Sequence, residues 1–221
     1  MLYDFHTHSF HSDGVLSPLE LINRAAVRKY TAIAITDHMA LGSLERVIKE
    51  VTVDCALARK YWDISAIPGV ELTHLPPSAI AEVSRRAKEL GAAVVVVHGE
   101  TTSEPVPVGT NLAAVNSPFV DILAHPGEIT PEVARLAVKN NIFIELSARR
   151  SHRNSNTHVA KIGLAAGAKL LLDSDAHNED DLLTPELIND ILTSAGITEN
   201  QQQILEKNPQ SLLQKINWVT R

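Results

Sequence analysis

Short apolar runs alternate along this chain with longer segments in which apolar residues recur at helical spacing. The runs are rich in Val, Ile and Ala, and they predict seven strands, at 2–7, 32–36, 65–70, 92–97, 120–124, 142–146 and 169–172. The amphipathic segments predict seven helices, at 17–29, 43–60, 77–90, 130–140, 157–166, 185–195 and 199–206. A repeated strand–helix order of this kind is typical of the α/β class.

The fourth predicted strand indicates how the sheet is covered. Residues 93–97 are apolar at every position, as expected of a strand that is buried on both faces in a parallel sheet. A chain of 221 residues is long enough to bury one sizeable core, so we expect a single domain over residues 1–221, of the barrel or open-sheet type. The long irregular stretch is 99–111, and loops of that length often carry function.

Polar residues that bind metals or transfer protons follow most of the predicted strands. They are His6, His8, His38, Glu71, His98, His125, Asp175 and His177. In a parallel sheet or barrel the carboxyl ends of all strands lie at one rim, where active sites are built. Because alternate side chains of a strand point the same way, we expect His6 and His8 to face one point, and Asp175 and His177 likewise.

The chemistry of these residues favours a metal centre. Imidazoles and carboxylates without thiolates suit Zn, Mn or Fe, and they indicate an open catalytic site rather than a closed structural zinc site. Glu71 is an isolated acid at a strand end that is able to bridge two ions, and its alternative role is that of a surface or helix-capping glutamate. Each histidine taken alone is equally compatible with a half-buried, hydrogen-bonded role.

Six short motifs resemble the polymerase and histidinol phosphatase (PHP) superfamily. They are Asp4-Phe5-His6-Thr7-His8 with Asp13-Gly14, Thr36-Asp37-His38, Pro68-Gly69-Val70-Glu71, His98, His125-Pro126 and Ser174-Asp175-Ala176-His177. The resemblance implies a distorted TIM-like barrel of seven βα units with a trinuclear metal centre at its C-terminal face. It also implies three sets of ligands: His6, His8, Glu71 and Asp175 for the first ion, Glu71, His98 and His125 for the second, and Asp13, His38 and His177 for the third.

The chemistry implied by this resemblance is phosphoester hydrolysis. Two ions bridged by Glu71 would share a water, lower its pKa and direct the resulting hydroxide at a bound phosphoester. Glu71, Asp175 and His177 are then expected to act in catalysis through the ions, and Arg149 is the expected cation for the phosphate. The alternative is that Arg149 and its neighbours are solvated loop charges, one of them paired with Glu145.

Four histidines match none of the motifs. They are His11, His74, His152 and His158. We expect surface or packing roles for them, with only His11 close enough in sequence to support the site. Asp4 and Asp37 lie beside ligands, and each is expected to orient an imidazole, unless Asp37 instead accepts backbone hydrogen bonds at its turn.

The sequence is compatible with three hypotheses about function. The leading hypothesis is a metal-dependent phosphoesterase that hydrolyses a small phosphomonoester such as histidinol phosphate, the family's namesake substrate, with two to three divalent ions as cofactors. A nucleotide or nucleic-acid-end phosphoesterase is the second, which the net charge of −6 disfavours. A non-catalytic metal-binding scaffold is the third, and the presence of every expected ligand disfavours it.

Cysteine content and hydropathy bear on the cellular setting. The single Cys55 and an N-terminal segment without signal-peptide character predict a reducing cytoplasm. No apolar run approaches the roughly 18 residues that span a bilayer, so we expect no membrane partner. A small phosphorylated substrate is the expected partner, nucleic acid is not expected, and the sequence leaves the oligomeric state open.

Overall fold

Seven parallel strands, with an eighth of only two residues, form the central sheet. The computed structural model describes residues 1–219. The strands are β1 (Leu2–Asp4), β2 (Tyr30–Ile35), β3 (His38–Met39), β4 (Ser65–Leu72), β5 (Val94–His98), β6 (Ile122–Ala124), β7 (Phe143–Ser147) and β8 (Leu170–Asp173). The strand that the sequence did not predict is β3, which continues β2 in register: Ile35 pairs with Pro68, and His38 pairs with Glu71.

The sheet nearly closes into a barrel. Its strand order is β1-β2-β4-β5-β6-β7-β8, and neighbouring strands are parallel. Just beyond β1 and β8, the N–H of His8 donates to the carbonyl of Ala176 at 2.8 Å, and the N–H of Asp175 donates to the carbonyl of His6 at 2.9 Å. The α/β class and the distorted TIM-like barrel are therefore confirmed.

Helices connect the strands and cover the outside of the barrel. They are α1 (Pro18–Val27), α2 (Leu41–Tyr61), α3 (Ile80–Glu89), α4 (Thr110–Asn116), α5 (Pro131–Lys139), α6 (Asn156–Ala166), α7 (Pro185–Ser194), α8 (Glu199–Leu205) and α9 (Asn208–Lys215). The seven predicted helices are present, and α4 and α9 are additions. In residues 1–219, no helix is long and apolar enough to cross a membrane.

Two apolar layers explain why β5 is apolar at every position before His98. Val94 and Val96 belong to the inner layer, whereas Val95 and Val97 pack among residues of the surrounding helices. Leu212 and Leu213 of α9 complete the inner layer and are 0% and 4% exposed. Because α9 donates hydrogen bonds to the carbonyl of Leu170, the first residue of β8, and to that of Val120, two residues before β6, it closes the N-terminal end of the barrel and leaves the C-terminal end for the site.

A buried carboxylate ties α9 to the barrel, and its loss is expected to destabilise the fold. Asp121 is 3% exposed, accepts from the N–H of Val95 at 2.9 Å, and binds the ammonium groups of Lys88 and Lys215, the latter at 3.1 Å. Burial lowers the pKa of Lys215, and Asp121 opposes that shift. Asp121→Ala leaves both lysines without this partner. It should lower the free energy of unfolding, measured by urea denaturation, by about 3 kcal/mol.

The matched control for this prediction is Asp190→Ala. Asp190 is an exposed acid in the middle of α7. Its removal should change the free energy of unfolding by less than about 0.5 kcal/mol. Equal unfolding midpoints for the two variants would show that the buried carboxylate is not needed to hold α9 in place.

Candidate metal centre

The polar residues that follow the predicted strands meet at the C-terminal rim of the barrel. All nine residues of the predicted ligand set lie in overlapping groups whose possible ligand atoms are within 4.8 Å of one another. The groups are His6/Glu71/His125, His6/His8/Asp175, His38/Glu71/His98 and His8/Asp13/His38/His177. Residues from positions 6 to 177 are brought to one place because the carboxyl ends of parallel strands share one rim.

Glu71, at the end of β4, lies at the centre of the cluster and is fully buried. Its Oε1 is 3.3 Å from His6 Nε2, 3.1 Å from His98 Nδ1 and 3.3 Å from His125 Nε2. Its Oε2 is 2.5 Å from His38 Nδ1. Burial alone would raise the pKa of this carboxyl, but the surrounding imidazoles outweigh burial and hold it well below its ordinary value. Glu71 is therefore a carboxylate that can be shared by more than one ion.

A second set of contacts lies toward the opening of the site. Asp13 Oδ1 is 3.0 Å from His177 Nε2 and 3.5 Å from His38 Nε2. Asp175 Oδ1 is 3.1 Å from His8 Nε2. Burial opposes ionisation of both carboxyls, yet the histidines lower the pKa of each below its ordinary value. Both acids are thus available as negatively charged ligands.

The loop that carries Asp13 is fixed by Asp37. One Asp37 oxygen accepts from the N–H of Ser9 at 2.7 Å and from the hydroxyl of Ser12 at 2.8 Å, and the other accepts from the hydroxyl of Ser9 at 2.7 Å. A Cβ at Gly14 would lie 2.2 Å from the carbonyl oxygen of His8, so only glycine fits there. Asp37 therefore holds a loop backbone, which is the second of its two expected roles.

Two residues of the predicted ligand set have an unusual backbone conformation. His125 has φ of 27° and Asp175 has φ of 54°, in the left-handed region that residues with a Cβ rarely adopt. Such conformations persist where the surrounding structure fixes them, and they cluster at functional sites. The hydrogen bond from Asp175 N to His6 that closes the barrel fixes one of them.

Acidic side chains also lie beneath the cluster, inside the barrel. Glu145 Oε2 is 2.6 Å from His6 Nδ1, so it orients this imidazole and leaves Nε2 directed at Glu71. The predicted pairing of Glu145 with an arginine is wrong, because the residue points into the barrel. Asp4 was expected to orient an imidazole, but its Oδ1 instead accepts from the N–H of Ser174 at 3.0 Å. Burial raises the pKa of Asp4 to about 7.

The cluster fits divalent metal ions. Several of its buried imidazole nitrogens make no hydrogen bond of favourable geometry with residues 1–219, although carboxylate oxygens lie close to some of them: His6 Nε2, His8 Nδ1 and Nε2, His98 Nε2, His125 Nδ1 and His177 Nε2. Unpaired buried polar atoms are costly and rare in folded proteins. Two ligands of one tetrahedral ion, with bonds of about 2.0 Å, lie about 3.3 Å apart, which matches the separations around Glu71. The donor set is that of a site for Zn, Mn or Fe.

Comparison with known proteins identifies the family. The sequence model of the PHP domain matches residues 4–101. The chain is also 45% identical, over 98% of its own length and 100% of the other's, to an uncharacterized protein of Methanocaldococcus jannaschii. The chain belongs to the PHP family. A probable phosphatase of Thermoanaerobacter pseudethanolicus is 25% identical to this PHP protein, over 90% of this chain and 89% of that one.

Two solved structures have a fold similar to the barrel seen here. One is a chain of an archaeal ribonuclease P bound to mature tRNA, with a TM-score of 0.72 at 16% identity, covering 96% of this chain and 91% of that one. The other is the histidinol phosphate phosphatase of Lactococcus lactis, complexed with zinc, L-histidinol and phosphate. Its TM-score is 0.64 at 15% identity, covering 89% of this chain and 94% of that one.

One histidine that matches none of the sequence motifs also lies at the rim of this PHP barrel. His152 is 5% exposed, stacks on His125 with ring centroids 4.1 Å apart, and places Nε2 3.6 Å from Asp175 Oδ2. The surface role that was one of its two expected roles is therefore wrong, and the packing role places it against His125 at the rim. Burial, and then His125, lower the pKa of His152 to about 3. The usable signal was its place in the loop after β7, since all such loops of a barrel border the rim.

The other unmatched histidines are less central. His11 Nδ1 faces Glu50 at 3.5 Å, and His158 contacts the carbonyl of Ile129 at 2.8 Å. His74 is half exposed but borders the cleft above the cluster. Loop 99–109 supplies Glu104 to the same cleft, a residue that the sequence analysis did not single out.

The cleft of the PHP site is small and polar. Its volume is about 290 Å³, and its walls are Asp13, His38, Thr73, His74, His98, Glu104, Arg149, His152, Asp175 and His177. Arg149 reaches it from the end of β7, donates to the carbonyl of Asp175 at 3.2 Å, and contacts the His177 ring. Its side chain is 33% exposed, so it is neither a freely solvated charge nor a fully paired one.

Proposed function

We propose that this protein is a metal-dependent phosphatase that acts on small phosphomonoesters. The observation that carries the proposal is the position of Glu71, a single buried carboxylate in contact with imidazoles of four other segments of the chain. A shared carboxylate of this kind is what two neighbouring dications require. The phosphatase relatives in the PHP family support the same conclusion.

The nine clustered residues are proposed to hold two to three divalent ions. His6, His8, Glu71 and Asp175 would form the first position, Glu71, His98 and His125 the second, and Asp13, His38 and His177 the third. The groups found in the structure support this division, since each proposed set contains residues whose ligand atoms lie together. Zinc, manganese and iron all suit these donors.

The protein residues prepare the cleft for a phosphate. Bound ions would supply an activated water and positive charge for the phosphoryl oxygens. Glu145 keeps His6 in one orientation, and Asp37 keeps the Asp13 loop in place. Arg149 presents a planar donor fork at the side of Asp175 and His177, where it can bind the oxygens of a phosphate as negative charge shifts during the reaction.

The test is phosphate release by metal-loaded protein. We propose histidinol phosphate as a substrate, and the panel should include it with glycerol phosphate, a nucleoside monophosphate, a bisphosphate and a short oligonucleotide. Turnover of monoesters that stops on chelation is the expected result. Shortening of the oligonucleotide without monoester turnover would favour a nuclease, and full metal loading with no turnover would favour a scaffold.

Replacing Arg149 should weaken catalysis selectively. Arg149→Ala is expected to reduce kcat/KM for the best monoester by about 10²-fold, because a charge-assisted donor to the phosphate is lost. Arg149→Lys should recover only part of it, since lysine lacks the planar fork. Arg150→Ala is the control, because the next residue is exposed. Equal losses for Arg149→Ala and Arg150→Ala would show that net charge, rather than the phosphate contact, explains the effect.

A further inference from the structure

Glu104 brings a negative charge to the mouth of the cleft. Its Oε1 is 3.2 Å from His98 Nε2 and 4.0 Å from His152 Nε2, and its Oε2 is 3.8 Å from His74 Nε2. The side chain is 38% exposed. In the part of the chain that the structure describes, no lysine or arginine lies within 4.0 Å of this carboxylate. Its charge therefore faces these three imidazoles and the cleft that they line.

Hydrogen bonds join the two ends of the loop that carries Glu104. Glu100 Oε1 accepts from the N–H groups of Gly109 at 3.1 Å and Asn111 at 2.9 Å. On the cleft side, the hydroxyls of Thr101 and Ser103 contact His152 Nδ1 at 2.7 and 2.9 Å. These contacts hold the segment that leads into Glu104 against the cluster. These hydrogen bonds therefore fix the position of the Glu104 carboxylate, although it lies on a loop.

Two carboxylates lie near one ring of the cleft. His152 Nε2 is 4.0 Å from Glu104 Oε1 and 3.6 Å from Asp175 Oδ2, and Arg149 Nε is 3.8 Å from the same Asp175 oxygen. An ester group that runs from a phosphate at Arg149 and the metal cluster across His152 would reach Glu104. A second negative group on the substrate would meet the Glu104 carboxylate there.

We infer that Glu104 determines substrate specificity by rejecting phosphomonoesters that carry a second anionic group near the ester oxygen. Esters whose alcohol part bears an ammonium group in that position are favoured over esters bearing a carboxylate or a second phosphate. This inference rests on the proposed phosphate site beside Arg149. It assigns to the loop after β5 a role in choosing the alcohol part of the substrate, separate from the hydrolysis step.

The test compares two phosphonates of equal length that cannot be hydrolysed. The dissociation constants of 2-aminoethylphosphonate and phosphonoacetate are measured by calorimetry on the metal-loaded wild-type, Glu104→Gln, Glu104→Lys and Glu128→Gln proteins. Glu128 is an acid outside the cleft, with a side chain that is 73% exposed, so its variant makes the same change of net charge. Comparison across variants cancels any intrinsic affinity of the carboxylate for the ions.

The expected result is a preference for the ammonium compound in the wild type that falls by about tenfold in Glu104→Gln, reverses in Glu104→Lys and persists in Glu128→Gln. An unchanged preference in Glu104→Gln, an equal change in Glu128→Gln, or no binding of either phosphonate would overturn the inference. Phosphate release from phosphoethanolamine and phosphoglycolate is followed in parallel. A shifted binding preference without any release rejects the phosphatase alone, whereas release with an unshifted preference rejects only the role of Glu104.

Discussion

Glu71→Gln is expected to abolish phosphatase activity, with a fall in kcat/KM of about 10³-fold or more, and to lower the number of bound metal ions. Glutamine fills the same volume but removes the charge that balances the neighbouring imidazoles. In the wild type, one Glu71 oxygen lies within 3.3 Å of three imidazole nitrogens and the other is 2.5 Å from a fourth. A neutral amide cannot bridge two cations as a carboxylate does, so both positions that share Glu71 should weaken together.

Metal content by mass spectrometry is the decisive measurement for this variant, because it does not depend on knowing the substrate. Glu128→Gln serves as the control, since it removes an acid of the same type from the surface. Circular dichroism checks that Glu71→Gln retains the barrel. Wild-type metal content in Glu71→Gln, with retained activity, would show that this carboxylate is not a shared ligand. It would contradict the proposed assignment of the nine residues to separate ion positions.

The barrel can be predicted from the sequence because each strand is marked by a local pattern of apolar residues. Apolar runs mark the strands, and the polar residue that ends each run marks the rim. The short β3 escapes this reasoning because Thr36 and Asp37 interrupt the path between Ile35 and His38, although the register on β4 is unbroken. Only the three-dimensional pairing shows that the two pieces form one line.

The parts of the site that escape prediction are those set by loops. His152 and Glu104 follow β7 and β5 by several residues, and no period relates a loop position to the direction of its side chain. The left-handed backbone of His125 and Asp175 is also invisible in sequence, since only a small fraction of His and Asp residues adopt it although both types do so more often than most. Strand ends therefore reveal the candidate ligands, whereas the residues that choose a substrate become visible only in the folded chain.

The metal-free site should bind protons that metal ions must displace, so metal affinity is expected to rise with pH. Burial opposes protonation of His38, but Glu71 outweighs burial and raises the pKa of His38 to about 9. The acids around His6 and His125 likewise raise the pKa of each imidazole above its ordinary value. A ligating imidazole must be neutral, so binding releases protons at any pH below these values. Between pH 6 and 9, affinity should increase about tenfold per unit for each proton released.

Calorimetric titration of zinc into metal-free protein, in buffers of different ionisation enthalpy, counts those protons directly. We expect more than one proton to be released at pH 7 and fewer as the pH approaches 9, because His38 is by then half deprotonated. His38→Gln should lower the count by about one. His158→Gln, which changes a histidine bonded to a backbone carbonyl away from the cluster, should leave the count unchanged. A zinc affinity that stays constant across this pH range would mean that the imidazoles are already neutral in the metal-free protein. Protonated imidazoles would then not be what balances the negative charge of the surrounding carboxylates.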